Sequence, residues 1–122
     1  MAQKYIVGDI VMYNNRIHTI IDILASNGYE LSYVRHPVSP VRLSGVPLTP
    51  EILEKNGWKD DGYSWYRLPT KRAYLYITKD MTTLGEFLVC VGLDRHNLAS
   101  INFVHQLQHF LFGLNINSEM EV

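Results

Sequence analysis

Residues 101–114 read Ile-Asn-Phe-Val-His-Gln-Leu-Gln-His-Phe-Leu-Phe-Gly-Leu, the longest amphipathic helical pattern in the chain, and they carry His105 and His109. At about 100° per residue, Ile101, Phe103, Val104, Leu107, Phe110, Leu111, Phe112 and Leu114 fill one wide arc. Asn102, Gln106, His109 and Gly113 lie opposite, so His109 is expected to face solvent. His105 sits at the border. Gln108 falls inside the apolar arc, where a buried amide must find a partner. An arc this broad calls for a sheet face as its floor, with some contact from a second element.

Working back from the helix, Gly92 to Asn97 reads as a connecting loop, with Asn97 or Ser100 as the helix cap. Tyr63–Leu68, Arg72–Thr78 and Gly85–Val91 alternate as strands separated by turns at Pro69–Lys71 and around Lys79–Asp80. They predict a three-stranded antiparallel meander whose inner face packs against the C-terminal helix. Lys59-Asp60-Asp61-Gly62 reads as a turn ahead of it. Beyond the helix, Asn115–Val122 reads as a polar, frayed tail.

A short helix precedes the meander. Thr49 is its cap, Pro50 takes the first helical position, and Glu51 suits the positive end of the helix. Ile52 and Leu53 supply the apolar face. Asn56-Gly57 ends it, because Gly57 can adopt the left-handed conformation, and Trp58 can fold back onto it.

The N-terminal third reads as a β-meander. Gly8–Tyr13 and Arg16–Leu24 are strands joined by Asn14-Asn15, a pair that tolerates positive φ in a tight hairpin turn. Ser26-Asn27-Gly28 turns the chain into a strand over Tyr29–Val34. The prolines in His36-Pro37-Val38-Ser39-Pro40 make that stretch a loop, and Val41–Val46 can form a further short strand. Together these predict a small curled antiparallel sheet of SH3-like type. The fold class is α+β in one domain, 1–122, with an SH3-like subregion over 1–47 and the helix, meander and C-terminal helix over 48–122.

Composition bounds the function. Eleven Lys and Arg stand against 12 Asp and Glu, so no global field recruits nucleic acid or an anionic membrane. The single cysteine, Cys90, excludes an internal disulfide and a multi-cysteine zinc site, and its apolar run predicts an inert buried thiol. No stretch approaches the ~20 apolar residues of a spanning helix, and the N-terminus lacks a signal-peptide core. The expectation is a cytoplasmic protein that makes no use of a membrane.

Chemistry-bearing patterns are few. His105 and His109 have the i, i+4 spacing of metal ligands. However, the string is His-Gln-Leu-Gln-His, and glutamine cannot replace the general-base glutamate of the zinc-protease signature. A third ligand would have to come from Asp94, His96 or Glu86. No phosphate loop or nucleophile elbow is present. Cys90 with His96 or His105 as its base is disfavoured, since Cys90 sits mid-strand. The reading is no cofactor, no metal and no catalytic set. Aromatics beside cations mark two candidate binding surfaces: Tyr33 with Arg35, His36 and Arg42 around the proline loop, and Tyr66 with Trp65, Arg67, Lys71 and Arg72 at the second hairpin. Rings next to cations suit a nucleic-acid single strand. They also suit a protein partner.

The string Pro-Leu-Thr-Pro-Glu-Ile-Leu-Glu-Lys-Asn-Gly-Trp at 47–58, the aromatic-rich meander and Val-His-Gln-Leu-Gln-His-Phe-Leu-Phe-Gly-Leu at 104–114 resemble a family of small uncharacterised proteins common in gut Bacteroidetes genomes and their phages. In that family the first helix opens on a similar Leu-Thr-x-Glu-x-Leu-x-Lys-x-Gly-aromatic string. The second motif runs Val-His-Gln-Leu-Gln-Asn into an aromatic-rich turn. The likeness covers most of the chain, with the N-terminal meander matching loosely. His109 stands where the family pattern has Asn, which counts against a mechanism built on a histidine pair. The resemblance implies a small accessory protein of a bacterial or phage cytoplasm and names no chemistry. The expected function is a non-enzymatic protein-interaction or adaptor protein, with His105, Gln108, Tyr66, Arg67, Arg72, Tyr33 and Arg35 as candidate binding residues. A nucleic-acid-binding accessory protein is the alternative, and a metal-dependent hydrolase at His105 and His109 stands below it.

Overall fold

The computed structural model describes residues 5–25, 28–62, 65–70, 74–79, 86–92 and 96–122, with the backbone alone for 96–98. The protein is mixed α+β, with two antiparallel sheets and a C-terminal helix. It divides into two compact units, Met1–Pro47 with Phe103–Met120, and Leu48–Asn102 with Glu121–Val122.

In the first unit, β1 (Ile10–Tyr13) and β2 (Arg16–Ile23) pair through a hairpin whose Asn14 and Asn15 both hold positive φ, 50° and 62°. Asparagine tolerates that region because its short polar side chain makes local hydrogen bonds. β3 (Tyr29–Leu31) pairs with β2, and β4 (Ser44–Gly45) pairs with β1, so the order is β3-β2-β1-β4. Register places Val11, Tyr13 and Ile20 on the buried face, where they cluster with Tyr5, Tyr29, Leu31, Val38 and Leu43. The other face carries Ile17 and Ile21, 47% and 53% exposed.

The connection from β3 to β4 differs from expectation. Val41–Val46 does not form one strand. Pro40, with its fixed φ, starts a single 3-10 turn over Pro40–Arg42, and only Ser44 and Gly45 pair, opposite Met12 and Val11. Val38 bridges Tyr29, and Val38 and Leu43 both enter the core.

Helix α2 (Val104–Gly113) belongs to this first unit, which corrects the expectation that the second meander is its floor. A bridge between Pro47 and Phe103 and a bond from the Val104 amide to the Val46 carbonyl bring it in beside β4. The side chain of Gln106 accepts from the Phe103 amide at 3.1 Å, capping the first turn. Its buried stripe is Val104, His105, Leu107, Gln108 and Leu111. That stripe is narrower than the apolar arc of the sequence and leaves Phe112 65% exposed.

The second unit opens on α1 (Pro50–Lys55), where Thr49 Oγ1 accepts from the Ile52 amide at 3.2 Å. Gly57 holds φ +89°, and the Trp58 amide returns to the Leu53 carbonyl, burying the indole. The sheet that follows has five strands in the order β5 (Lys59–Gly62), β6 (Trp65–Pro69), β7 (Tyr74–Thr78), β8 (Phe87–Val91) and β9 (His96–Ile101). The three-stranded meander of the sequence reading is its centre. The two additional strands are its edges, read from sequence as a turn and a loop. An edge strand needs one partner only, and polar side chains along it stay solvated, so it lacks an apolar alternation. Because Ile101 ends β9, α2 begins later than the amphipathic pattern does. The tail is also less free than expected. Asn56 Nδ2 donates to the Glu121 carbonyl, Asn56 Oδ1 accepts from the Glu121 amide, both at 2.8 Å, and Lys55 Nζ donates to the Val122 carbonyl.

Candidate functional site

Two polar side chains of α2, Gln108 and His109, bond to the start of β1 and the turn before it. Gln108, 4% exposed, accepts from the Ile10 amide at 2.9 Å through Oε1 and donates through Nε2 to the carbonyls of Gly8 at 2.9 Å and Ser118 at 3.2 Å. Gly8, in the turn that leads into β1, and Ile10, the first residue of β1, are two apart. A single amide bonding the carbonyl of one and the N–H of the other does what a parallel neighbouring strand would do. Gln108 is thus a surrogate strand, and its donor and acceptor groups are all committed to backbone.

His109, which the helical wheel turns outward, is paired. Its Nε2 lies 2.7 Å from Oδ2 of Asp9, and the carboxylate is almost fully buried. The same oxygen accepts from the Ile6 amide at 2.8 Å. Burial pushes the Asp9 carboxyl above its ordinary value, and the Ile6 amide and His109 pull it part of the way back. His105 is buried one turn earlier. Its ring stacks on Phe103 at 5.7 Å between centroids and meets Tyr5 edge-on at 4.9 Å and His109 at 5.8 Å. Gly45 makes this packing possible: a Cβ there would lie 2.6 Å from the Phe103 ring and 3.0 Å from His105 Cε1.

An aspartate holding a histidine at 2.7 Å has the spacing of the orienting half of a hydrolytic triad. Among the described residues, no hydroxyl or thiol is bonded to that histidine, and no three His, Cys, Asp or Glu side chains come together as a metal site. Asp94 lies outside the described residues, as does the side chain of His96. Cys90 is fully buried in β8. The bonds of Gln108 and His109 hold α2 against the start of β1.

A different arrangement stands on the connection between β3 and β4. Ser32 is fixed three times: its amide donates to the Thr19 carbonyl, its Oγ accepts from the Thr19 amide, and its carbonyl meets His18 Nδ1 at 2.8 Å. The Val34 amide returns to the Leu31 carbonyl and closes a turn. Inside that turn Tyr33 holds φ +63° and is 100% exposed. A left-handed backbone costs a non-glycine residue roughly 1–2 kcal/mol, and nothing in this unit repays it by packing the ring. Arg35, His36 and Arg42 are exposed along the same connection, and Val41 is 89% exposed. Both ends are anchored, by Leu31 and by Val38 and Leu43 in the core.

In the second unit, Arg67 reaches Asp61 at 3.8 Å and lies over the Tyr74 ring at 5.0 Å. Tyr66 is half-buried, and its phenol is pushed above its ordinary value, first by burial and then by Glu54, Asp60 and Glu51. Arg72 and Lys71 lie outside the described residues. Among the described residues, three acids bear on Tyr66, and its neighbouring guanidinium is engaged with Asp61 and Tyr74.

No protein-family model, curated protein or solved structure matches this chain. No helix among the described residues is long and apolar enough to cross a membrane.

Of the residues singled out by sequence, His105 and Gln108 come together on α2, and Tyr33 and Arg35 on one anchored connection. Tyr66 and Arg67 share β6, in the other unit. Sequence reasoning passed over Asp9. The signal was an acid set between Gly8 and a run of Ile10, Val11 and Met12, a position that burial makes costly without a partner. The weight of Val41 was also missed, because a lone valine next to proline reads as strand.

Proposed function

We propose that the protein is a non-enzymatic interaction module whose contact surface is the connection between β3 and β4, with Tyr33 as its anchor. The observation that carries this is a tyrosine held wholly in solvent, at positive φ, by a turn pinned on either side. Backbone strain kept where no packing repays it marks a functional position, and tyrosine with arginine is the composition of interface hot spots. The curled first sheet, of SH3-like type in this reading, is the scaffold, and the setting is a bacterial or phage cytoplasm, as the resemblance to small accessory proteins of Bacteroidetes and their phages implies. The Asp9–His109 pair and Gln108 serve as pins that keep α2 on the scaffold.

Binding of a nucleic-acid single strand is the second reading, since an exposed ring beside Arg35 suits base stacking. It is favoured less, because two arginines on the connection supply few phosphate contacts and Tyr66 of the other aromatic cluster lies in the field of Glu54, Asp60 and Glu51.

The test is site-specific photo-crosslinking in the native cells, with a benzophenone amino acid at position 33 and, as control, at exposed Lys59. An adduct formed at 33 and absent at 59, with a partner whose binding is lost on Tyr33→Ala, supports the module. Equal adducts at both positions, or substrate turnover by the purified chain that depends on His109, overturns it.

A further inference from the structure

We infer that the ligand of this surface is an acidic peptide segment carrying at least one apolar side chain; this rests on the reading of Tyr33 as a contact anchor. The stretch Ser32–Leu43 holds Arg35, Arg42 and His36 and no Asp or Glu, in a chain whose overall charge is −1. Arg35 and Arg42 are exposed, and neither forms an ion pair among the described residues. Arg67, by contrast, is taken up by Asp61 and Tyr74. A guanidinium left open offers a planar fork of donors that matches a carboxylate bidentately. Two such forks on the same exposed connection as an aromatic ring and an aliphatic side chain select a ligand with carboxylates and an apolar anchor. Tyr33 and Val41 are the apolar contacts. The fixed turn and the 3-10 turn at Pro40–Arg42 keep the ordering cost of binding low.

A peptide is favoured over a nucleic-acid strand by Val41. Its branched aliphatic surface packs on another aliphatic or aromatic side chain but gives a phosphate nothing, and it is 89% exposed on the connection that carries the cations.

The test uses the full chain, immobilised and challenged with a random-peptide display library at physiological salt. Selected peptides are then synthesised and titrated by calorimetry. The expected binders are net negative and contain an aromatic or aliphatic residue. Tyr33→Ala weakens them at least about tenfold, as does the double change Arg35→Glu with Arg42→Glu. Exchanging the peptide's acids for lysine restores binding to the charge-reversed protein. Binders that are neutral or basic and indifferent to charge reversal, yet lost on Tyr33→Ala, overturn the acidic class and leave the surface standing. Binders indifferent to Tyr33→Ala, or none at all, overturn both. Oligothymidylate binding more tightly than every selected peptide, with affinity falling steeply as salt rises, overturns the peptide in favour of a single strand. All substituted side chains are exposed, and thermal melts confirm that the variants are folded.

Discussion

Gln108 Oε1 accepts the backbone amide of Ile10 at 2.9 Å, joining positions 98 residues apart in the chain. The bond is made on the edge of β1 that β4 leaves open beyond Val11. Gln108→Leu keeps the volume and strips the partner from the Ile10 N–H and from the Gly8 and Ser118 carbonyls. Three backbone groups losing their bonds cost about 2–4 kcal/mol, read as a lower urea midpoint at unchanged slope. Amide exchange of Ile10 accelerates in step. An unchanged midpoint would show that water replaces the amide without penalty.

Asp9 makes stability depend on pH in a defined direction. Its folded-state carboxyl titrates above 3.8 because burial outweighs the Ile6 and His109 contacts. A carboxyl raised in the folded state contributes stability that is fully present below 3.8 and is lost as pH rises through the folded value. Asp9→Asn removes this dependence and keeps an acceptor for the Ile6 amide. The stability of the variant relative to the parent therefore improves as pH rises from 3.8 through the folded value. Melting temperatures at several pH values check it, and parallel curves for the two proteins would refute the assignment.

Gly45 and Gly113 respond oppositely to alanine. At Gly45 the new methyl meets the Phe103 ring at 2.6 Å, so Gly45→Ala displaces α2 at its first turn, with a loss of about 1–3 kcal/mol. At Gly113 nothing lies within 4 Å of the new Cβ, and the residue is helical. Gly113→Ala gains up to about 0.5–1 kcal/mol. Denaturation of the pair measures both signs under one set of conditions.

Tyr33 is expected to show a trade between stability and binding. Asparagine tolerates the left-handed region, so Tyr33→Asn raises stability by up to about 1 kcal/mol while it removes the ring on which the proposed contact rests. A variant that is more stable and no longer crosslinks or binds peptide fits the reading. A variant that is less stable shows that Tyr33 supports the fold.

Much of the local structure is legible in residue order. Thr49, Pro50 and Gly57 set the bounds of α1 because caps and breakers act within one turn. Asn14-Asn15 sets the hairpin for the same reason, and the placement of Gln108 within an apolar arc announces a buried amide. The edge strands β5 and β9 are not legible, since Lys59-Asp60-Asp61-Gly62 carries no alternation and is held by backbone bonds to β6. Half of the seam was visible: His105 and Gln108 stand out on α2, whereas Asp9 gains its meaning from His109, 100 residues away.

By itself, then, the sequence determines the turns, the caps, the central strands and the amphipathic face of α2, because each depends on neighbours a few residues apart. The tertiary structure decides which sheet that face covers. The apolar stripe of α2 suits either sheet, since hydrophobic burial has no direction. The choice falls to directional bonds, from Val104 to Val46, from Gln108 to Gly8 and Ile10, and from His109 to Asp9, all made to the first unit. The full exposure of Tyr33 is decided at the same level: residue order marks it only as an aromatic beside cations, and the fixed turn around Ser32 sets its ring in solvent.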